Sequence, residues 1–121
     1  MKKFITLSIA LLAIFSTSCV QKTYKKIVVF SLDVSGIKNI KKVGIRGENE
    51  PLNWNYDTEM ILVKKDSLYK AVVTFETGYK FAEVKFTIND DFELKEKDNR
   101  RIIFSDKGTT FYKAKFDVLN K

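Results

Sequence analysis

Histidine is absent from this chain, cysteine, proline and tryptophan occur once each, and glycine occurs five times. Without histidine there is no Ser-His-Asp or Cys-His nucleophilic machinery and no histidine-ligated metal site. A lone cysteine, Cys19, has no partner within the chain for a disulfide. No Gly-rich phosphate loop is present. Carboxylates are in the minority, 15 against 22 Lys+Arg, for a formal charge of +7. The cations do not form an arginine cluster, and no RNA-binding aromatic motif accompanies them, so nucleic acid is not an expected partner. These absences leave a small non-catalytic protein that needs no cofactor and no metal.

The first residues stand apart from the rest. Met1-Lys2-Lys3 is basic, Phe4 to Phe15 is continuously apolar, and Ser16-Thr17-Ser18 is small and polar. That layout is a secretory signal peptide, and its apolar run is shorter than the ~20 residues that span a bilayer. Residues 1–18 are therefore expected to be cleaved. Cys19 follows directly, and the segment resembles a bacterial lipobox, with Ser16 where leucine is usual. The resemblance implies acylation of Cys19 and a lipid anchor. Val20, in place of an aspartate, points to the outer membrane, on its periplasmic or cell-surface side. Loss of Lys2 and Lys3 lowers the formal charge from +7 to +5. Residues 19–26 are expected to be a lipidated tether.

From Lys26 onward apolar residues recur with period two, the signature of half-buried strands. Strands are predicted at 26–34, 41–46, 58–64, 68–76, 79–89, 92–96, 101–105 and 110–119. Turn residues separate them at the spacing of a sandwich or barrel. Alternation places Ala82, Val84, Phe86 and Ile88 on one face, with Phe81, Glu83, Lys85 and Thr87 on the other. Tyr112, Ala114, Phe116 and Val118 form a second apolar set. Phe30, Leu32, Val34, Val43, Ile45, Tyr69, Ala71, Val73 and Phe75 are expected to complete the core. Residues 27–121 thus read as one all-β domain, a sandwich of about seven to eight antiparallel strands. Asp90, Asp91 and Glu93 cluster in acid, without the spacing of a calcium loop.

A series of short motifs runs through this domain: G-x-x-x-P-L-N-W at Gly47 to Trp54, Met60, E-V-K-F at Glu83 to Phe86, F-E at Phe92-Glu93, and D-N-R at Asp98 to Arg100. In order and spacing the series resembles the starch-binding domains, carbohydrate-binding modules of family 20, and their glycogen-binding relatives. The likeness covers residues 27 to about 118. It implies an immunoglobulin-like β-sandwich. It also implies a sugar site with Trp54 and Phe92 as stacking platforms and Lys85, Glu93 and Asn99 as polar contacts. The chain departs from the family where Phe92 replaces tryptophan, where Val84 replaces a tyrosine, and where the turn from Phe92 to Asn99 is longer. No tyrosine near Ser35 or Lys65 matches the family's second site.

A flat aromatic ring suits the apolar C–H face of a pyranose, and donors and acceptors at its rim suit the hydroxyl belt. The expected function is accordingly a non-catalytic envelope lipoprotein that binds α-glucan or a related polysaccharide. The other expectation is a protein-interaction or structural module of the same fold, docked on a larger envelope complex. Arg100 is expected to form an ion pair with Asp98 or Glu93.

Overall fold

Val28, Phe30, Leu32 and Val34 recur at every second position, with Val29, Ser31 and Asp33 between them, and only an extended chain puts all four on one side. In a computed structural model, which describes residues 22–119, the strand there is β1 (Tyr24–Asp33). Eight more follow: β2 (Val43–Gly47), β3 (Thr58–Glu59), β4 (Ile61–Lys64), β5 (Leu68–Thr77), β6 (Phe81–Ile88), β7 (Asp91–Phe92), β8 (Arg100–Ile103) and β9 (Thr110–Lys115). None of the described residues is helical. The expected signal at residues 1–18 and Cys19 lie outside the described residues.

The strands form two sheets. Sheet A has the order β4-β5-β1-β9, and sheet B has the order β3-β2-β6-β7, with β8 also paired to β6. The all-β sandwich expected from periodicity is therefore present, consistent with an immunoglobulin-like arrangement. Among the described residues it has nine strands, and one of their pairings is not antiparallel: β9 returns beside β1 in parallel, Val29 opposite Phe111.

The core lies between the sheets. Phe30 is its centre, with edge-on contacts to Phe75, Phe86 and Tyr112 at centroid distances of 6.5, 6.0 and 6.0 Å. Nearly all of the expected core residues are buried. Tyr69, Tyr112 and Phe116 are only partly so, packed at its margin. Val28, Leu52, Met60, Leu94, Ile102 and Phe104 join them.

Three strand expectations are corrected. The predicted strand 58–64 breaks at Met60, whose side chain is buried and whose N–H donates to Val43 O at 2.8 Å. Thr58–Glu59 pairs in sheet B while Ile61–Lys64 pairs in sheet A, so Met60 is the point where the chain changes layer. The predicted strand 92–96 stops at Phe92, because Leu94 and Glu96 take φ of 51° and 62°, which is incompatible with extended chain. The last strand stops at Lys115 rather than 119. Asp117 has φ of 67°, and Val118, expected inside, is 41% exposed.

Phe30→Ala removes the ring on which three aromatic contacts converge. We expect a loss of about 3–5 kcal/mol in urea unfolding, the usual range for a buried phenylalanine.

Candidate functional site

The outward residues of sheet B carry most of the side chains singled out by sequence. β2 and β6 pair antiparallel, with Gly44 opposite Thr87 and Arg46 opposite Lys85. Directly paired residues share a face. Phe92 of β7 pairs with Thr87 and so belongs to the same outer face. The loop after β2 brings Trp54 onto it.

That loop is held at several points. Leu52 is buried and plugs the core. Glu48 N–H donates to Glu83 O at 3.1 Å, and Gly47 N–H to Asn53 O at 3.3 Å. Asn53 Oδ1 accepts from the N–H groups of Asn55 and Tyr56 at 2.9 and 2.8 Å, an Asx turn of the kind asparagine favours. The peptide between Glu50 and Pro51 is cis. A residue on such a loop is presented in a defined place rather than left to wander.

The Trp54 ring is half-buried. It meets the Phe92 ring at 6.2 Å with a 56° tilt, so the two form an angled pair rather than one flat plate. The indole N–H donates to Glu48 Oε2 at 2.7 Å. Arg46 sits against this pair: its guanidinium lies 5.1 Å from the Phe92 centroid, within cation–π range. The same guanidinium donates to Asp57 Oδ1 at 2.7 Å, Trp54 O at 3.3 Å and Asp90 Oδ1 at 3.2 Å. Arg46 thus ties the tryptophan loop to the β6–β7 turn.

Asp57 is the carboxylate beneath this arrangement. Its Oδ1 also accepts from Thr87 Oγ1 at 2.7 Å, while its buried Oδ2 has no hydrogen-bond partner. It fits only because Gly44 lies under it: a Cβ there would overlap the carboxylate. Asp90 bonds Lys42 Nζ at 2.8 Å. The hydrogen bond from Lys42, together with the charges of Lys42 and Arg46, holds the Asp90 carboxyl below the usual range and raises the Lys42 ammonium in return. Arg46, Asp57 and Glu48 were not among the residues expected from sequence. The signal for Arg46 was its place in the alternation of the predicted strand 41–46, where Val43 and Ile45 face the core and Arg46 faces out.

The polar residues expected to line a sugar site are placed differently from that expectation. Lys85 Nζ donates to Leu94 O and Lys97 O, both at 3.0 Å, so its ammonium closes the loop after β7. Two cations face each other at Arg46 and Lys85, and each is turned toward its own acceptors. Asn99 Nδ2 donates to Glu83 Oε2 at 3.3 Å, and Arg101 Nη2 to Glu83 Oε1 at 3.1 Å. These hydrogen bonds, Arg101's first and Asn99's second, lower the Glu83 carboxyl.

Glu93 is corrected outright. It points into the sandwich, opposite to Phe92, and its side chain has 0% exposure against 2% for Arg100. The guanidinium grips the carboxylate with two bonds of 2.7 Å, Nε to Oε2 and Nη2 to Oε1. Phe86 N–H and Asp117 N–H donate to the same carboxylate at 2.9 and 3.0 Å. Arg100 Nη2 also bonds Lys115 O at 2.9 Å and Val118 O at 2.8 Å. Burial disfavours the Arg100 cation. The hydrogen bonds that it donates to Glu93 and Tyr112, with their charges, outweigh it, so the net shift is upward and the group stays charged. Glu93 therefore supports the site from behind, its carboxylate engaged within the sandwich. The acidic cluster is dispersed in the same way, with Asp90 on its cations and Glu93 inside.

Phe92 also borders a cleft of about 470 Å³ at the end of the sandwich, with Ile37, Ile88, Lys95, Lys97 and Phe116. The aromatic pair and this cleft are contiguous through one ring.

Glu93→Gln leaves a buried arginine without its counter-charge, and we expect it to lower stability by about 3–5 kcal/mol in urea titration. Replacing both partners, as Glu93→Leu with Arg100→Met, is expected to lower it less. For Glu83, the depressed folded-state carboxyl contributes stability above its ordinary value of 4.5 and loses it as pH falls. The melting difference between the wild type and Glu83→Gln is thus expected to be larger at neutral pH than in acid.

Neither a protein-family model nor a curated protein sequence matches this chain.

Proposed function

We propose that this protein is a non-catalytic carbohydrate-binding lipoprotein of the bacterial envelope. In this reading residues 1–18 are removed, Cys19 is acylated, and the anchored domain holds α-glucan or a related polysaccharide at the outer membrane. The observation that carries the reading is the Trp54–Phe92 pair. Two rings distant in sequence meet at 6.2 Å on the outer face of sheet B, with the indole fixed by Glu48 and the second ring backed by Arg46.

Such a pair suits a saccharide for a physical reason. Fixing the rings in advance lowers the ordering penalty on binding. Covering ~50 Å² of apolar area per stacked ring contributes roughly 1 kcal/mol at about 25 cal/mol per Å². Two rings with a few hydrogen bonds give affinities around the millimolar to micromolar range. Glu48, which holds the indole N–H, and the exposed Asn55 and Tyr56, which follow Trp54 in the same loop, are the proposed hydroxyl partners, in the role that sequence assigned to Lys85 and Glu93. A chain lying over Trp54 and Phe92 would continue toward the cleft beyond Phe92. Weak single-site binding is adequate when many anchored copies engage one polymer.

A protein-interaction or structural module of the same sandwich is the second reading. The internal engagement of Lys85 and Glu93 favours it, since two polar residues of the starch-binding pattern serve the fold instead.

Trp54 is the single tryptophan, so its fluorescence reports the site directly. Titration with malto-oligosaccharides is expected to quench or shift it at millimolar sugar. Phe92→Ala should weaken binding about tenfold, and Trp54→Ala should abolish the calorimetric heat. No spectral change and no heat at millimolar sugar would reject α-glucan. A stoichiometric membrane partner whose recovery is insensitive to Trp54→Ala would favour the second reading.

A further inference from the structure

The opposite face of the sandwich is also unusual. Across sheet A, Phe111, Val29 and Val72 lie side by side on adjacent strands, β9, β1 and β5. Their inward neighbours Val28, Phe30, Ala71 and Val73 are buried, so this row points outward. Val72 is 67% and Phe111 72% exposed, and Ile61 on β4, diagonal to Val72, is 72% exposed. Ile27 extends the ribbon along β1. The outer face of a stable sheet normally carries polar residues here, and a continuous apolar ribbon across all four strands marks an interaction surface.

The next row is basic. Lys70, Ser31 and Lys113 are directly paired, and beyond them come Leu68, Asp33 and Lys115. These residues line a shallow groove of about 440 Å³. Asp33 is engaged locally by the Ser35 N–H at 2.8 Å. The lysines thus dominate the groove.

We propose that the outer face of sheet A is a membrane contact, lying against a bilayer that carries anionic headgroups. The ribbon of Phe111, Val29, Val72 and Ile61 enters the apolar boundary. Lys70, Lys113 and Lys115 reach headgroup phosphates, their aliphatic stems covering the surface between. A second copy stacked with its rows in register would bring like-charged lysines together, which an anionic surface would not. The geometry also agrees with the anchor. The chain from Cys19 to Tyr24 reaches at most ~18 Å at about 3.6 Å per residue, enough for β1 to lie along the headgroups. This last point rests on the proposed anchor, whereas the face itself does not. Sheet B, with Trp54 and Phe92, is then directed away from the bilayer.

All nine strands and the core lie between Tyr24 and Lys115. The test therefore uses the chain from residue 19 carrying Cys19→Ser, which has no acyl group to bind on its own behalf. Sedimentation with phosphatidylcholine vesicles containing about a quarter phosphatidylglycerol is compared with pure phosphatidylcholine. The anionic vesicles are expected to bind at least about tenfold more strongly. Lys70→Gln and Lys113→Gln should each weaken that binding about fivefold. Val72→Ser with Phe111→Ser should weaken binding to both vesicles. Trp54→Ala should leave it unchanged, so this proposal and the saccharide reading fail independently. Absence of binding, or equal binding to neutral vesicles that the lysine variants do not alter, would overturn the proposal. So would a dimer in sedimentation equilibrium that Phe111→Ser dissolves, since the occupant would then be a second copy.

Discussion

A single ion pair organises one end of this molecule. Glu93 and Arg100 are both buried, and between them they engage backbone groups of Phe86, Lys115, Asp117 and Val118. Phe86 belongs to sheet B, and Lys115 ends β9 in sheet A. The pair is thus a polar bolt through an apolar sandwich. Desolvating two charges is expensive, and the arrangement is tolerable because each carboxylate oxygen and most guanidinium donors are satisfied. The loop from Leu94 to Lys97 closes over it, with Lys85 capping two of its carbonyls. Two non-glycine residues of that loop stand at positive φ, a conformation that persists only where surroundings impose it.

This constraint also shapes the outer surface. Because Glu93 turns inward, Phe92 must turn outward, and an apolar ring that would otherwise belong to the core is delivered to Trp54. The platform is therefore a by-product of where the charge is buried. Arg46 plays the matching part on the neighbouring strand, holding the tryptophan loop and the β6–β7 turn together through Asp57 and Asp90. Gly44 provides the room that Asp57 needs. The result is a sandwich whose two outer faces differ in kind: one presents an aromatic pair within a network of paired charges, the other an apolar ribbon beside a row of lysines.

Much of the architecture was legible from alternation alone. Val84, Phe86 and Ile88 in β6 and Phe30 and Leu32 in β1 left no other period, and the burial of those residues follows. The layer change at Met60 was not legible, because T-E-M-I-L-V-K is an unbroken strand-like run and nothing in it marks a transfer of hydrogen bonding. The early end before Leu94 was hidden for a related reason, since neither leucine nor glutamate advertises the left-handed backbone that Leu94 and Glu96 adopt; aspartate tolerates that conformation, and at Asp117 the apolar alternation running through to Val118 concealed it. In the candidate site, Trp54 and Phe92 were singled out only through the resemblance to the starch-binding domains, and nothing in the alternation announced that their rings meet. The inward turn of Glu93 was not legible either. Hydrophobicity puts the phenylalanine inside, and only the distant Arg100, already in place opposite, reverses that preference.

The placement of β1 has a mechanical meaning. Its ten residues are paired along their whole length with β5, and from Val28 on also with β9. A pull transmitted through the chain ahead of Tyr24 runs along the strand axis. It loads two ladders of hydrogen bonds in shear at the same moment, rather than peeling them one by one. Tension from that end is borne collectively, and the strand best able to resist extraction is the first one of the domain.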